Sequence, residues 1–233
     1  MHKPIRKADS KPLPVLRACS LEKSFGERLL FSSVDIDIFP KQQVALLGPS
    51  GAGKSTLLNC LEGVEPYDAG SVSIGGKALE SLDENEMSAL RRNEIGTIFQ
   101  FFHLLPTLTA FENIELALQL TGVSAEQRQE RVEFLLNRLQ IEHRSEAFPS
   151  QMSGGEMQRV AIARAIAHEP KILFADEPTG NLDSKSGQMA LELLSELCQE
   201  IGAGLLMVTH SQEAASYCES QYSLVDGQLQ RDA

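Results

Sequence analysis

Three short, unbroken apolar runs stand out along the chain: Val44–Leu47, Ile172–Ala175 and Leu205–Val208. Each is too brief for a helix and ends in a loop rich in Gly, Pro, Ser, Thr or His, the pattern of strands buried on both faces of a parallel sheet. Leu16–Ser20, Ser33–Ile38 and Ser71–Ile74 instead alternate in part and are bounded by turn residues. They predict a small antiparallel sheet beside the parallel core. From about Ser81 to Gln151 the spacing is mostly helical. There Ser124-Ala-Glu-Gln127 has the form of a capping box, and Val132, Leu135, Leu136 and Leu139 follow at helical intervals. A second amphipathic helix is predicted after Asp183, with Ala190, Leu193, Leu194 and Leu197 on one face. Nearly all of these stripes read as core. The expected organisation is α/β, with a tail over residues 1–13 and one domain over 14–233, helical between about 81 and 160.

With 233 residues, 42% of them hydrophobic, the chain can bury a sizeable core. A formal net charge of −11 argues against a general nucleic-acid binder, which needs surplus Lys and Arg to neutralise phosphates. Cys19, Cys60, Cys198 and Cys218 lie far apart without a C-x-x-C pair, so neither a metal knot nor a disulfide framework is expected, and a reducing cytosolic setting fits. The start, MHKPIRKADSKPLP, is basic but lacks an apolar stretch, unlike a secretory signal, and reads as a disordered tail. No apolar run approaches the roughly 18 residues of a spanning helix, so the chain is expected to be soluble by itself.

Chemistry gathers at the ends of the buried strands, where open parallel sheets bind their ligands. After the first come Gly48, Pro49, Ser50, Gly51, Ala52, Gly53, Lys54, Ser55 and Thr56, which fit G-x-x-x-x-G-K-[ST]. Glycines let such a loop wrap closely, so that backbone N–H groups point at phosphate oxygens. Lys54 then supplies charge to the β- and γ-phosphates of ATP, Ser55 a hydroxyl for Mg²⁺, and the following helix its N-terminal dipole. The second strand runs into Asp176 and Glu177. Beside a phosphate loop, Asp176 is placed to hold Mg²⁺ through water and Glu177 to polarise an attacking water. Taken alone, the same pair would read equally well as a helix N-cap with an exposed neighbour.

Many ATPases share those two motifs; the residues between and after them are more telling. Ser153-Gly-Gly-Glu-Met-Gln-Arg159, Gln100 after Thr97-Ile-Phe, Asn181-Leu-Asp183, and His210 after Leu206-Met-Val-Thr follow in order. From about Leu16 to Gly227 the chain resembles the ABC (ATP-binding cassette) ATPases, with these as signature, Q-loop, D-loop and switch histidine. The resemblance implies a P-loop NTPase fold: a RecA-like parallel core, a small antiparallel β-subdomain and an inserted helical subdomain. It also implies a head-to-tail homodimer with two ATP molecules between the copies. Ser153, Gly154, Gly155 and Glu156 would cap the partner's ATP. His210 would meet the γ-phosphate and the water, Gln100 would sense Mg²⁺, and Asp183 would couple the two sites. Phe25 stands where an adenine-stacking Tyr is usual, with a core Phe as the alternative. Met152 replaces the usual Leu, a volume-conserving change, and Glu156 the usual Gln.

PTGNLD, together with RRNEIGTIFQFFHLLPTLTAFEN, is similar to the LolD, MacB and FtsE group of that family. This implies integral membrane permease subunits as partners and a peripheral location on the cytoplasmic face of the inner membrane. Phe101, Phe102, Leu104, Leu105 and Leu108 form a candidate docking patch, or else are partly core. The alternative is a soluble ABC ATPase of DNA repair or translation; one cassette without insertions weighs against it. The transported substrate is not legible in these residues.

Overall fold

The computed structural model describes residues 12–232. Residues 1–11, most of the expected basic tail, lie outside the described residues. The chain runs β1 (Leu16–Phe25), β2 (Arg28–Ile38), β3 (Gln43–Leu47), α1 (Lys54–Leu61), β4 (Ala69–Ile74) and β5 (Lys77–Ala78). Then come α2 (Glu84–Glu94), β6 (Ile95–Ile98), α3 (Ala110–Leu120), α4 (Ala125–Arg138) and α5 (Gly154–Ile166). β7 (Ile172–Asp176), α6 (Ser184–Ile201), β8 (Gly204–Val208), α7 (Gln212–Ala215), β9 (Ser220–Val225) and β10 (Gln228–Arg231) complete it.

Two sheets form, ordered β2-β1-β4-β5 and β10-β9-β3-β8-β7-β6. The first is antiparallel throughout. In the second, β9, β3, β8, β7 and β6 are parallel, and only the edge hairpin β9–β10 is antiparallel. The apolar runs belong to β3, β7 and β8, and their period of two sorts them onto two faces. Val44, Leu46, Ile172, Phe174, Leu206 and Val208 face a core shared with α1 and the antiparallel sheet. Their neighbours Ala45, Leu47, Leu173, Ala175, Leu205 and Met207 face a second core built with α3, α4, α5 and α6. Every residue of β3 and β8 is buried. Ser32 N donates to Gly227 O at 3.0 Å, tying β2 to the edge hairpin of the larger sheet.

The mostly helical reading of the middle segment needs one correction. β6 interrupts it, pairing in parallel with β7 from Ile95↔Ile172 to Ile98↔Ala175. Four residues between helical stretches carry too little period to announce themselves, and the sheet edge decides. Gly96 lets this strand lie against α5: a Cβ there would strike the carbonyl oxygen of Ala165 and stand 2.6 Å from Leu173 Cδ2. The capping box at Ser124 is only half made. Ser124 Oγ accepts from Gln127 N at 3.4 Å, but Gln127 Oε1 takes the Ser124 hydroxyl instead of its N–H. Reciprocal boxes stand at Asp83/Glu86, Thr109/Glu112 and Ser153/Glu156, each stabilising its helix start by about 1 kcal/mol. On α6, Leu191 is buried while Leu193 is half-buried, so the apolar stripe is rotated slightly from the expected one. Among the described residues no helix is long and apolar enough to cross a membrane.

Replacing Gly96 with Ala would force β6 and α5 apart. The expected loss is about 1–3 kcal/mol, typical of overpacking, seen as a lower Tm in thermal unfolding. An unchanged Tm would show that the contact relaxes freely.

Candidate functional site

The β3–α1 loop ends at Gly53, whose φ of 97° belongs to the left-handed region that glycine tolerates. The first helical bond is Leu57 N to Gly53 O at 2.8 Å. The N–H groups of Lys54, Ser55 and Thr56 are therefore the helix's orphan donors. No side chain caps this helix and its first turn holds no acid, so its positive end is uncompensated. Lys54 is 9% exposed and has no carboxylate within ion-pair distance among the described residues. Its Nζ donates to Gly48 O at 2.8 Å and Pro49 O at 3.0 Å. A buried cation compensated only by carbonyls, with orphan N–H groups beside it, suits a polyanion. Phe25, 53% exposed, lines the same cleft with Leu30, Gly51 and Ser55, which excludes the core reading for this ring. Lys23 Nζ lies 4.8 Å from its centroid.

β7 delivers Asp176 and Glu177 beside that loop. Burial pushes the Asp176 carboxyl up, while the nearby Ser55 hydroxyl pulls it down; Glu177 adds to the rise and Lys54 opposes it. Asp176 and Ser55 thus offer paired oxygens of the kind a hard cation takes, and Mg²⁺ characteristically draws its other ligands from phosphates and water. Glu177 has φ 47°, a left-handed conformation costly for a side-chain-bearing residue ahead of a proline. Its N–H donates to Val208 O at 2.9 Å and its carbonyl accepts from Gly180 N at 3.0 Å, which fixes the turn. Its carboxylate lies 2.8 Å from His210 Nδ1 through Oε1, and accepts from Thr209 Oγ1 at 3.4 Å through Oε2. The Gln100 carbonyl accepts from Asn181 Nδ2 at 2.7 Å, and its side-chain amide lies beside Gly180.

Lys54, Ser55, Asp176, Glu177, His210 and Gln100 are thus assembled around neighbouring strand ends. The Ser153–Glu156 segment is not among them: it lines neither the cleft at Phe25 and Lys54 nor the one between Glu177, Asp183 and His210. It packs instead on the entry to α6, with Gly154 against Leu182 and Gly155 against Ser186. Asp183 caps α6 by accepting from Ser186 N at 3.0 Å, and this bond lowers its carboxyl pKa. Met152 is buried in the helical core, as its volume suggests. The expected apolar patch divides. Phe101 and Leu105 are exposed, while Leu104 packs on the core and Phe102 and Leu108 are half-buried. Phe148 adds a further exposed ring.

Several residues escaped the motif reading. Thr209 is simply the residue before the histidine, yet it is buried and bonded to Glu177. Arg164 donates to His103 O at 2.5 Å and Phe102 O at 2.8 Å, holding two successive left-handed residues after Gln100. Glu62, at the end of α1, is a buried acid with one oxygen unpartnered. Burial pushes its carboxyl up to about 8, and Asp176 adds to the rise against Thr97 and Arg91.

The family described as ABC transporter matches residues 31–180. The lipoprotein-releasing system ATP-binding protein LolD 2 of Caulobacter vibrioides is 41% identical over 93% of this chain and 97% of its own length. The macrolide export ATP-binding/permease protein MacB of Hahella chejuensis is 43% identical over 94% of this chain, which spans only 34% of that longer protein. Among solved structures, the dimeric post-hydrolysis state of the ATP-binding cassette MJ0796 bound to ADP and Pi superposes with a TM-score of 0.82. It is 36% identical, covering 93% of this chain and 98% of that one.

Glu62 makes stability depend on pH. A carboxyl raised from 4.5 to about 8 on folding contributes fully below the lower value, and that contribution is lost as pH rises through the higher one. Glu62→Gln carries no charge, so it should raise Tm over the parent at about pH 8.5, with a gain that shrinks towards about pH 5. An equal difference at both pH values would assign the effect to packing instead.

Proposed function

Because this chain belongs to the ABC transporter family as one of its ATP-binding subunits, we propose that it works by closing head-to-tail on a second copy around two ATP molecules. It binds and hydrolyses ATP and energises a membrane transport complex. The closure passes to integral membrane subunits of the LolD, MacB and FtsE kind, from the cytoplasmic face of the membrane. Exposed Phe101, Leu105 and Phe148 provide the apolar surface for them.

One observation carries the chemistry: Glu177, strained at the end of β7, is hydrogen-bonded to His210 at 2.8 Å alongside the phosphate loop. Lys54 turns from its two carbonyls to the β- and γ-phosphates, joined by the orphan N–H groups at the start of α1. Phe25 presents its face to adenine. Ser55, Asp176 and Gln100 hold Mg²⁺, which supplies charge neutralisation on the phosphates. Glu177 takes the proton of the attacking water as general base, with His210 and Thr209 orienting its two oxygens. Ser153, Gly154, Gly155 and Glu156 serve the ATP of the other copy, and Asp183 joins the two sites. That Ser153–Glu156 lines neither of this chain's own clefts, while Asp183 lines the one shared with Glu177 and His210, supports that assignment.

Replacing Glu177 with Gln should lower ATP turnover by about 10²- to 10⁴-fold while an ATP-bound dimer accumulates, read by phosphate release and by sedimentation. Rapid hydrolysis by this variant would remove Glu177 from the base role. Purified with ATP from detergent-solubilised membranes, it should bring along a membrane protein with a large extracytoplasmic domain. Recovery of only soluble proteins or nucleic acid would remove the membrane partner from the reading.

A further inference from the structure

The two helix starts that serve phosphate in this reading are electrostatically unlike. α1 begins with no side-chain cap and no acid in its first turn. α5 begins with its own carboxylate: Glu156 Oε2 accepts from Ser153 N at 2.8 Å and from the Ser153 hydroxyl at 2.8 Å. A hydroxyl has one proton to give, so while it is given to Glu156 it cannot go to a phosphate. A phosphate arriving here would also meet a like charge. That charge is persistent: burial raises the Glu156 carboxyl, but the bonds from Ser153 and Arg144 outweigh it and bring it to about 2.

The other carboxylate oxygen is held from outside the helix. Arg144, in the short turn Glu142–Arg144, donates from Nε to Glu156 Oε1 at 2.7 Å, and His143 Nε2 lies 3.5 Å from the same oxygen. Among the described residues Arg144 has no other carboxylate partner, and its side chain is 38% exposed. Given the dimer reading above, on which this rests, we infer that Arg144 is the positioning residue that lets the Ser153–Glu156 helix start accept the partner's γ-phosphate despite its own carboxylate. Arg144 compensates the charge and keeps Glu156 paired when the Ser153 hydroxyl and N–H turn to phosphate. Without it, Glu156 stays on Ser153 and opposes the incoming anion.

The test uses the Glu177→Gln background and measures ATP-dependent dimerisation by sedimentation. Arg144→Ala should weaken the dimer about tenfold, the scale of one charge-assisted hydrogen bond. Arg144→Lys, which keeps the charge, should retain most of the affinity. With Glu156→Gln also present, Arg144→Ala should cost little further, since no carboxylate remains to compensate. Binding of a fluorescent ATP analogue to dilute monomer should be unaffected by Arg144→Ala. An equal loss in both backgrounds, no loss at all, or a loss accompanied by weaker monomer binding would each overturn the inference. Ser153→Arg tests the underlying reading separately: if that variant dimerises with ATP as well as its parent, the helix start does not face the partner's nucleotide.

Discussion

Burial of the parallel sheet on both faces is the constraint from which the rest follows. β3, β7 and β8 are flanked by apolar layers on either side, so a polar side chain becomes affordable only where a strand ends. The strand order β3-β8-β7-β6 then brings four such ends into a row. The phosphate loop, Thr209 with His210, Asp176 with Glu177, and Gln100 come from segments scattered between residues 48 and 210, yet they meet there because hydrogen-bonded strands are neighbours.

What that row does depends on conformations the strands alone would not select. Glu177 occupies a left-handed conformation that costs about 1–3 kcal/mol, a strain sustained by its bonds to Val208 and Gly180. Phe102 and His103 repeat the device after Gln100, and Arg164 holds both their carbonyls from α5. Arg164 is half-buried with its guanidinium on backbone oxygens, so the last turn of α5 and the segment that carries exposed Phe101 and Leu105 belong to one supported unit. α5 is thereby bonded directly to the segment proposed to meet the membrane subunits.

The helix starts of α1 and α5, both proposed to serve phosphate, show how the same element can be set differently. At α1 every compensating charge is missing, so the site is ready for an anion. At α5 the Ser153/Glu156 box, with Arg144 behind it, already satisfies part of the helix end. In the proposed dimer, the carboxylate of Glu156 is what would have to be displaced from Ser153 before closure.

Much of this was legible in the sequence because local rules suffice for it. Unbroken apolar runs identify strands buried on both faces, G-x-x-x-x-G-K-S is a backbone geometry written in residue types, and ordered motifs from Gln100 to His210 carry the family. What stayed hidden depends on partners distant in the chain. β6 is a strand only because β7 offers an edge, and Gly96 is needed only because α5 crosses there. The exposure of Phe25, the division of the Phe101–Leu108 stretch and the buried acid Glu62 rest on which surfaces other elements cover. Arg144 and Glu156 are twelve residues apart, in a turn and a helix that no short-range pattern links. The sequence by itself determined the strands buried on both faces, the phosphate loop and the chemistry available at those strand ends, because these are fixed by local pattern and residue type. Only the tertiary structure decided which side chains meet, how each carboxylate is compensated and which apolar residues stay open, because charge and burial belong to neighbourhoods in space.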